Sequence, residues 1–398
     1  PSDGAATARM VAAAGAALVA GRPATALGVL DRVAPVADPA TRADVQLLRG
    51  MAIQQSGRPM AAYALLEDEA ERVLAHDPGR AAGLLMQAGI ALVAHGPMER
   101  LGALAERTLA LAPPGADLVP AIFAASALTS LGDHARARTT LRERTAALEA
   151  FDPTGPAHEV LAVAALCFLW MEDLDDADRL ASRLVRTSLE RGAVTSLARA
   201  RSVLANVRLR QGAFAEAAVL ADQAVGLGED SAGGFLHSMM LTTAAFTAAH
   251  VGDDAAVAAH AGRALELGLE LGLTSTLACA EQALGVVALS RGDASLALPH
   301  LERALEHQRR FGSRDPSFLY TQADLAEAYA RTGRPDAART LIAELVDGAE
   351  RTGGAWAEAA AARCAALIDG DERLDEHAAA ALAAHDRVAL PFERARTQ

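Results

Sequence analysis

The sequence predicts an all-α protein, a single stack of about ten helical hairpins over residues 1–398. Three observations carry this expectation. The composition is rich in helix formers and poor in strand formers, a turn signal recurs every 36 to 41 residues, and small side chains recur at two fixed distances from each turn. Alanine fills 98 of the 398 positions, whereas aromatic residues make up only 4%. Alanine carries no side-chain entropy cost in a helix, and the branched and aromatic residues that favour pleated sheets are thin. The chain has no lysine, all 37 basic residues being arginine, and a single asparagine, Asn206. Lysine and asparagine share A-rich codons, so this bias marks a GC-rich, actinobacterial-like genome and not a selection for arginine chemistry.

The turn signals set the element order. They fall at Gly21, Gly57, Gly96, Gly132, Glu172, Gly212, Gly252, Gly292, Gly333 and Gly370, with spacings of 36, 39, 36, 40, 40, 40, 40, 41 and 37. Glycine supplies the positive φ that ends a helix, and the Asp or Pro that follows suits the first turn of the next. A second series, Gly192, Gly233, Gly272, Gly312 and Gly353, ends the second helix of each hairpin at nearly the same period. Ten hairpins follow from this count, with Pro391–Gln398 starting an eleventh. Val160–Met171, between Glu159 and Glu172, is the longest apolar run. It falls short of the roughly 20 residues a bilayer requires and reads as a core helix, so no membrane association is expected.

Packing positions repeat with the same period. Seven residues before the markers stand Ala14, Gly50, Gly89, Ala125, Ala165, Ala205, Ala245, Gly285, Ala326 and Arg363. Five residues after them stand Ala26, Ala62, Leu101, Ala137, Ala177, Ala217, Val257, Ala297, Ala338 and Asp375. Small side chains at both points let paired helices cross closely, as a stacked solenoid requires. The last hairpin breaks both rules.

A small residue, a turn glycine and an alanine five later together resemble the tetratricopeptide repeat (TPR). That resemblance implies a right-handed superhelical solenoid of TPR-like helix pairs. The segments GRPMAAYALLEDEAERV, RGDASLALPHLERALEHQRRFG and RTGRPDAARTLIAEL resemble the repeat region of the large ATP-binding LuxR-type transcriptional regulators, the group that includes the maltose-regulon activator. The ending AAHDRVALPFERARTQ is similar to the stretch those proteins carry before their DNA-binding domain. The resemblance implies a cytoplasmic sensor domain that binds an effector, while ATPase and DNA-binding modules lie elsewhere in the parent chain. Neither module is within this sequence, and an opening Pro-Ser-Asp-Gly without an initiator methionine is expected of a segment of something longer.

Charge and motif content exclude several chemistries. With 37 basic and 50 acidic residues, 37 − 50 gives a net charge of −13, unsuited to binding phosphate backbones. Without lysine there is no phosphate-loop lysine and no Schiff base. Cys167, Cys279 and Cys364 are far apart in apolar stretches and read as buried reduced thiols. Gly226-Leu-Gly228 lacks the third glycine and the preceding strand of a dinucleotide site. The acidic run Glu172, Asp173, Asp175, Asp176 and Asp178 lacks the glycine and distal glutamate of a calcium loop, and acids favour a helix N-terminus in any case. The histidines show no zinc spacing, His300 and His307 having no third ligand. Neither an enzyme nor a bound metal or cofactor is expected.

The informative surface is the face of each first helix that lines the groove. Counting back from the turns places Arg199, Ser202, Asn206 and Arg210 there in the sixth hairpin, and Phe246 and His250 in the seventh. The eighth adds Gln282, and the ninth adds Tyr320 and Glu327. Donors, acceptors and aromatics on neighbouring helices suit a small polar effector or a peptide or protein segment. The bland alternative is a merely wet concave face. The ligand-binding candidates are therefore Arg199, Asn206, Arg210, Phe246, His250, Gln282, Tyr320 and Glu327. A stand-alone scaffold binding a peptide is the competing function. The two-carboxylate clamp of co-chaperone repeats is not expected, because it needs lysines.

Overall fold

The computed structural model describes residues 3–19, 22–33, 35–36, 38–112, 117–152, 159–231, 234–370 and 373–398. Among the described residues it holds 22 helices and no strand. The chain divides into two compact units, 1–127 and 128–398.

Unit 1 carries α1 (Asp3–Val19), α2 (Pro23–Leu30), α3 (Pro39–Gln55), α4 (Pro59–Leu74), α5 (Pro78–His95) and α6 (Met98–Leu111). The boundary falls within α7 (Leu118–Leu131). Unit 2 continues with α8 (His134–Arg142), the short α9 (Thr145–Ala150), α10 (Glu159–Trp170), α11 (Leu174–Arg191), α12 (Val194–Arg210) and α13 (Phe214–Ser231). Next come α14 (Gly234–Val251), α15 (Asp254–Leu271), α16 (Thr274–Ser290), α17 (Ala294–Phe311) and α18 (Thr321–Arg331). The chain finishes with α19 (Pro335–Thr352), α20 (Ala355–Asp369), α21 (Leu374–His385) and α22 (Pro391–Thr397). Within each unit, sequential helices pair as hairpins, and the first helices of neighbouring hairpins also touch, as in α12 with α14 and α14 with α16.

The turn markers behave as their chemistry dictates. Gly57, Gly96, Gly132, Gly212, Gly252, Gly292, Gly333 and Gly370 all have positive φ, as do Gly192, Gly272, Gly312 and Gly353 of the second series. Gly21 and Gly233 lie outside the described residues. The aspartates that follow cap the next helix: Asp253 accepts the Ala256 N–H at 3.0 Å and Asp293 that of Leu296 at 2.9 Å. Glu172 is the exception, a non-glycine residue at φ 65°.

The small residues sit where helices cross. Ala165, Ala205 and Ala245 are fully buried, as are Ala177, Ala217 and Ala297. A Cβ added to Gly285 would lie 2.6 Å from Leu301, and one added to Gly50 would lie 2.6 Å from Leu66. Close approach at these two glycines is therefore what lets α16 meet α17 and α3 meet α4. None of the three cysteines is in a disulfide, and burial pushes the Cys279 thiol up to about 12 and Cys364 up to about 11. No described helix is long and apolar enough to cross a membrane.

Candidate functional site

The groove wall of unit 2 is tied together by a ladder of hydrogen bonds between first helices about one repeat apart. Ser202 and Thr243 hydroxyls meet at 3.1 Å, and Ser238 and Thr276 at 2.9 Å. Asn206 donates its amide to the Ser202 carbonyl and to Thr243 Oγ1, both at 2.9 Å. Gln282 donates to Asp324 Oδ2 at 3.1 Å. Burying polar groups between helices demands such partners, and here each helix satisfies the next.

The segment between α17 and α18 bends across this wall. Its Arg314 and Asp315 N–H groups donate to the Ser130 carbonyl at 2.7 and 3.2 Å, from the far end of the same unit. Asp315 lies 3.2 Å from His134, both fully enclosed. Phe318 stacks on Phe311 and meets Trp170 edge-on with centroids 5.0 Å apart. Arg210 reaches the same segment, donating to the Ser317 carbonyl at 2.9 Å while its guanidinium lies 3.8 Å over the Tyr320 ring. Tyr320 stacks in turn on Trp356, with centroids 3.6 Å apart. Burial lowers the Arg210 pKa to about 10, so it stays charged at neutral pH within a cation–π sandwich. Tyr320 is the N-cap of α18, at the start of that helix.

After α21 comes α22, whose side chains reach α13, α14, α18 and α20. Phe392 meets Phe214 and His250 edge-on, at centroid distances of 5.4 and 5.1 Å. Glu393, almost fully buried, accepts from Trp356 Nε1 at 3.2 Å and from Arg363 Nη1 at 2.9 Å. Arg396 pairs with Asp324 at 3.0 Å, Glu327 at 2.7 Å and Glu393 at 3.3 Å. Burial alone would raise Glu393, but Arg396 and Arg363 outweigh it and hold the carboxyl well below the usual carboxylate range. Burial raises Asp324, even with Arg396 opposing it. Three buried polar atoms beside these pairs, Arg363 Nε, Arg363 Nη2 and Gln282 Oε1, have no hydrogen-bond partner among the described residues.

Of the eight residues expected to bind, His250 and Glu327 touch α22, Gln282 reaches it through Asp324, and Arg210 and Tyr320 reach it through Trp356. Arg199 is buried in α12, Asn206 is spent on the ladder, and Phe246 packs against the Leu241 and Ala245 cluster. Sequence reasoning missed Phe214, Asp324, Trp356 and Arg363. Only Arg363 left a signal, as the one large residue in a series otherwise Gly or Ala.

Comparison with known proteins agrees with this architecture. Residues 276–351, from α16 through α19, match the tetratricopeptide repeat family model. Among solved structures, the Rap protein complexed with competence and sporulation factor superposes with TM-score 0.51 at 12% identity, covering 93% of this chain and 99% of that one. The APC/C hetero-tetramer Cut9–Hcn1 superposes with TM-score 0.50 at 15% identity, covering 98% and 83%. A signal transduction ATPase with a TPR sensor from Pyrococcus horikoshii is also similar, but at TM-score 0.43, 15% identity and coverages of 91% and 59% the superposition is too loose to build on. No curated protein sequence matches the chain. Fold, packing positions and family match together define an all-α TPR-type helical-repeat architecture.

Proposed function

We propose that this chain is the partner-sensing repeat domain of an ATP-dependent LuxR-type regulator, and that the groove of unit 2 binds a peptide or protein segment. The observation that carries the binding reading is α22 itself. A helical segment lies in the groove through one aromatic, one buried carboxylate and one half-buried arginine, Phe392, Glu393 and Arg396. Those contacts display the recognition chemistry the groove offers. By analogy of fold alone, the two similarly folded chains above are each held in a complex, Cut9 with Hcn1 and Rap with competence and sporulation factor. The LuxR-type assignment rests on the sequence segments that resemble that family. It places ATP hydrolysis and DNA binding in other modules, so this chain has neither activity, in keeping with its lack of lysine and net charge of −13.

The gene tests the parent assignment. A lysine-bearing phosphate loop encoded upstream and a helix-turn-helix encoded downstream are expected; if neither is there, a stand-alone peptide-binding scaffold is the better reading. The groove is tested by titrating peptide libraries and small polar effectors against wild type and Glu327→Ala. Binding that depends on Glu327 supports the groove, peptide against small molecule separating the two ligand classes. Binding insensitive to that change places recognition elsewhere.

A further inference from the structure

We infer that α22 is an internal mimic of the groove's partner, and that the partner segment presents an aromatic residue, an acid next to it and an arginine three residues further on. This rests on the reading of the groove as a binding site and adds what it binds and what competes for it.

Three features of α22 support exchange. First, its attachment is made by side chains: Phe392 against Phe214 and His250, Glu393 on Trp356 and Arg363, Arg396 on Asp324 and Glu327. Second, the wall beneath does not need it, since the Ser202–Thr243, Ser238–Thr276 and Gln282–Asp324 bonds close without any residue of α22. Third, the fit is incomplete. Among the described residues, Arg363 leaves Nε and Nη2 unpaired and Gln282 leaves Oε1 unpaired, all buried. Each unpaired buried group is costly, so a segment that supplied partners to these atoms would bind more tightly than α22 does. Desolvation of the buried ion pairs also offsets much of their attraction, so they select a matching sequence more than they fasten it. The two unpaired guanidinium donors beside Glu393 are places where a better ligand would add an acceptor.

The test uses the full chain and a labelled peptide of residues 387–398, RVALPFERARTQ. In the wild type the tethered copy competes at high effective concentration, so the free peptide is expected to bind weakly. In the double variant Phe392→Ala, Arg396→Ala the groove is vacated, and binding is expected to tighten at least tenfold. A peptide with the Glu393 and Arg396 charges exchanged should bind neither form. Equal binding to both forms, no binding to the vacated form, or indifference to the charge exchange overturns the mimic. Hydrogen exchange on wild type provides a measure that needs no variant. Amides of α22 should exchange at least tenfold faster than those of α14 and α16, and equal protection makes α22 a fixed core element. Should the peptide fail while other ligands remain sensitive to Glu327→Ala, the mimic falls and the groove stands; if both fail, so does the groove.

Discussion

Glu172 Oε1 accepts the backbone N–H of Trp356 at 3.1 Å, joining the turn before α11 to the first turn of α20. Its other oxygen accepts the Ala355 N–H at 2.9 Å. The N-cap of α20 is Gly354, which has no side chain to offer, so a carboxylate from 183 residues earlier caps the helix instead. Close approach requires that glycine, since a Cβ there would lie 3.1 Å from Glu172 Oε1. Glu172 holds a left-handed backbone that glycine holds in the neighbouring repeats, a strained position from which its side chain reaches the start of α20.

Glu172→Gly separates these two effects. It relieves a left-handed penalty of about 1–2 kcal/mol and removes two hydrogen bonds to a charged group, each worth about 1.5–3 kcal/mol. Net destabilisation of unit 2 is expected in denaturant unfolding. A midpoint equal to or above wild type would show that the remote cap is dispensable.

What the sequence reveals and hides divides by range. Glycine turns, aspartate caps and buried alanines involve neighbours or adjacent hairpins, so they repeat and can be counted. The contacts that build the site do not repeat. Arg210 finds Ser317 across 107 residues, and Glu172 finds Ala355 across 183, each pairing occurring once. Their only trace is a broken pattern. Glu172 replaces a turn glycine and Arg363 replaces a small packing residue, and both breaks prove to be side chains that bond to distant helices, Glu172 to α20 and Arg363 to α22. Asn206, conspicuous as the only asparagine, uses its amide nitrogen as a rung of the wall.

Overpacking tests the hairpin crossings. Gly285→Ala places a Cβ 2.6 Å from both Cγ and Cδ2 of Leu301, which is itself fully buried. A loss of about 1–3 kcal/mol is expected in chemical denaturation. Gly57→Ala meets open space but has φ 76°, so its cost should arise from backbone strain alone. Pairing each with Leu301→Ala distinguishes the causes: the second change should partly rescue Gly285→Ala and leave Gly57→Ala unrescued. Rescue of neither would contradict the steric account.

Arg210 is a structural member of the groove as well as a candidate contact. Arg210→Ala removes a charged hydrogen bond to Ser317 and the cation–π contact on Tyr320, and should cost about 2–3 kcal/mol. Arg210→Lys keeps the charge but cannot lay a flat guanidinium on the ring, so it should recover only part of the loss. Because Tyr320 stacks on Trp356, both changes should alter the emission of that tryptophan, measured in a Trp170→Phe background. Unchanged emission and unfolding midpoint together would rule out the stack as a fastening.

Acidification should loosen the packing of α22, with His250 contributing. Its Nδ1 lies 2.8 Å from the Phe246 carbonyl, and its ring sits between Phe214 and Phe392. Burial lowers its pKa, more than the Phe246 carbonyl, Glu393 and Asp324 raise it, with Arg396 acting in the same direction as burial. The folded protein therefore takes up the proton at a lower pH than the unfolded chain, whose histidine titrates near 6.5. Below that value the unfolded state binds more protons, so stability falls as pH drops from about 6.5 toward the folded pKa. Burial lowers His385 in the same way, and its Nε2 lies 3.0 Å from Thr397 Oγ1 in α22. Glu172 and Asp324, raised by burial, act with the opposite sign and gain stability on protonation. A single substitution isolates the histidine term. His250→Phe keeps an aromatic ring against Phe392 and removes the titration, while His385, Glu172 and Asp324 remain in both proteins. Between pH 7.5 and 5.5 the melting temperature of wild type should fall more steeply than that of His250→Phe. Parallel curves across that range would mean that His250 takes up its proton equally well folded and unfolded, and that burial against Phe392 does not govern it.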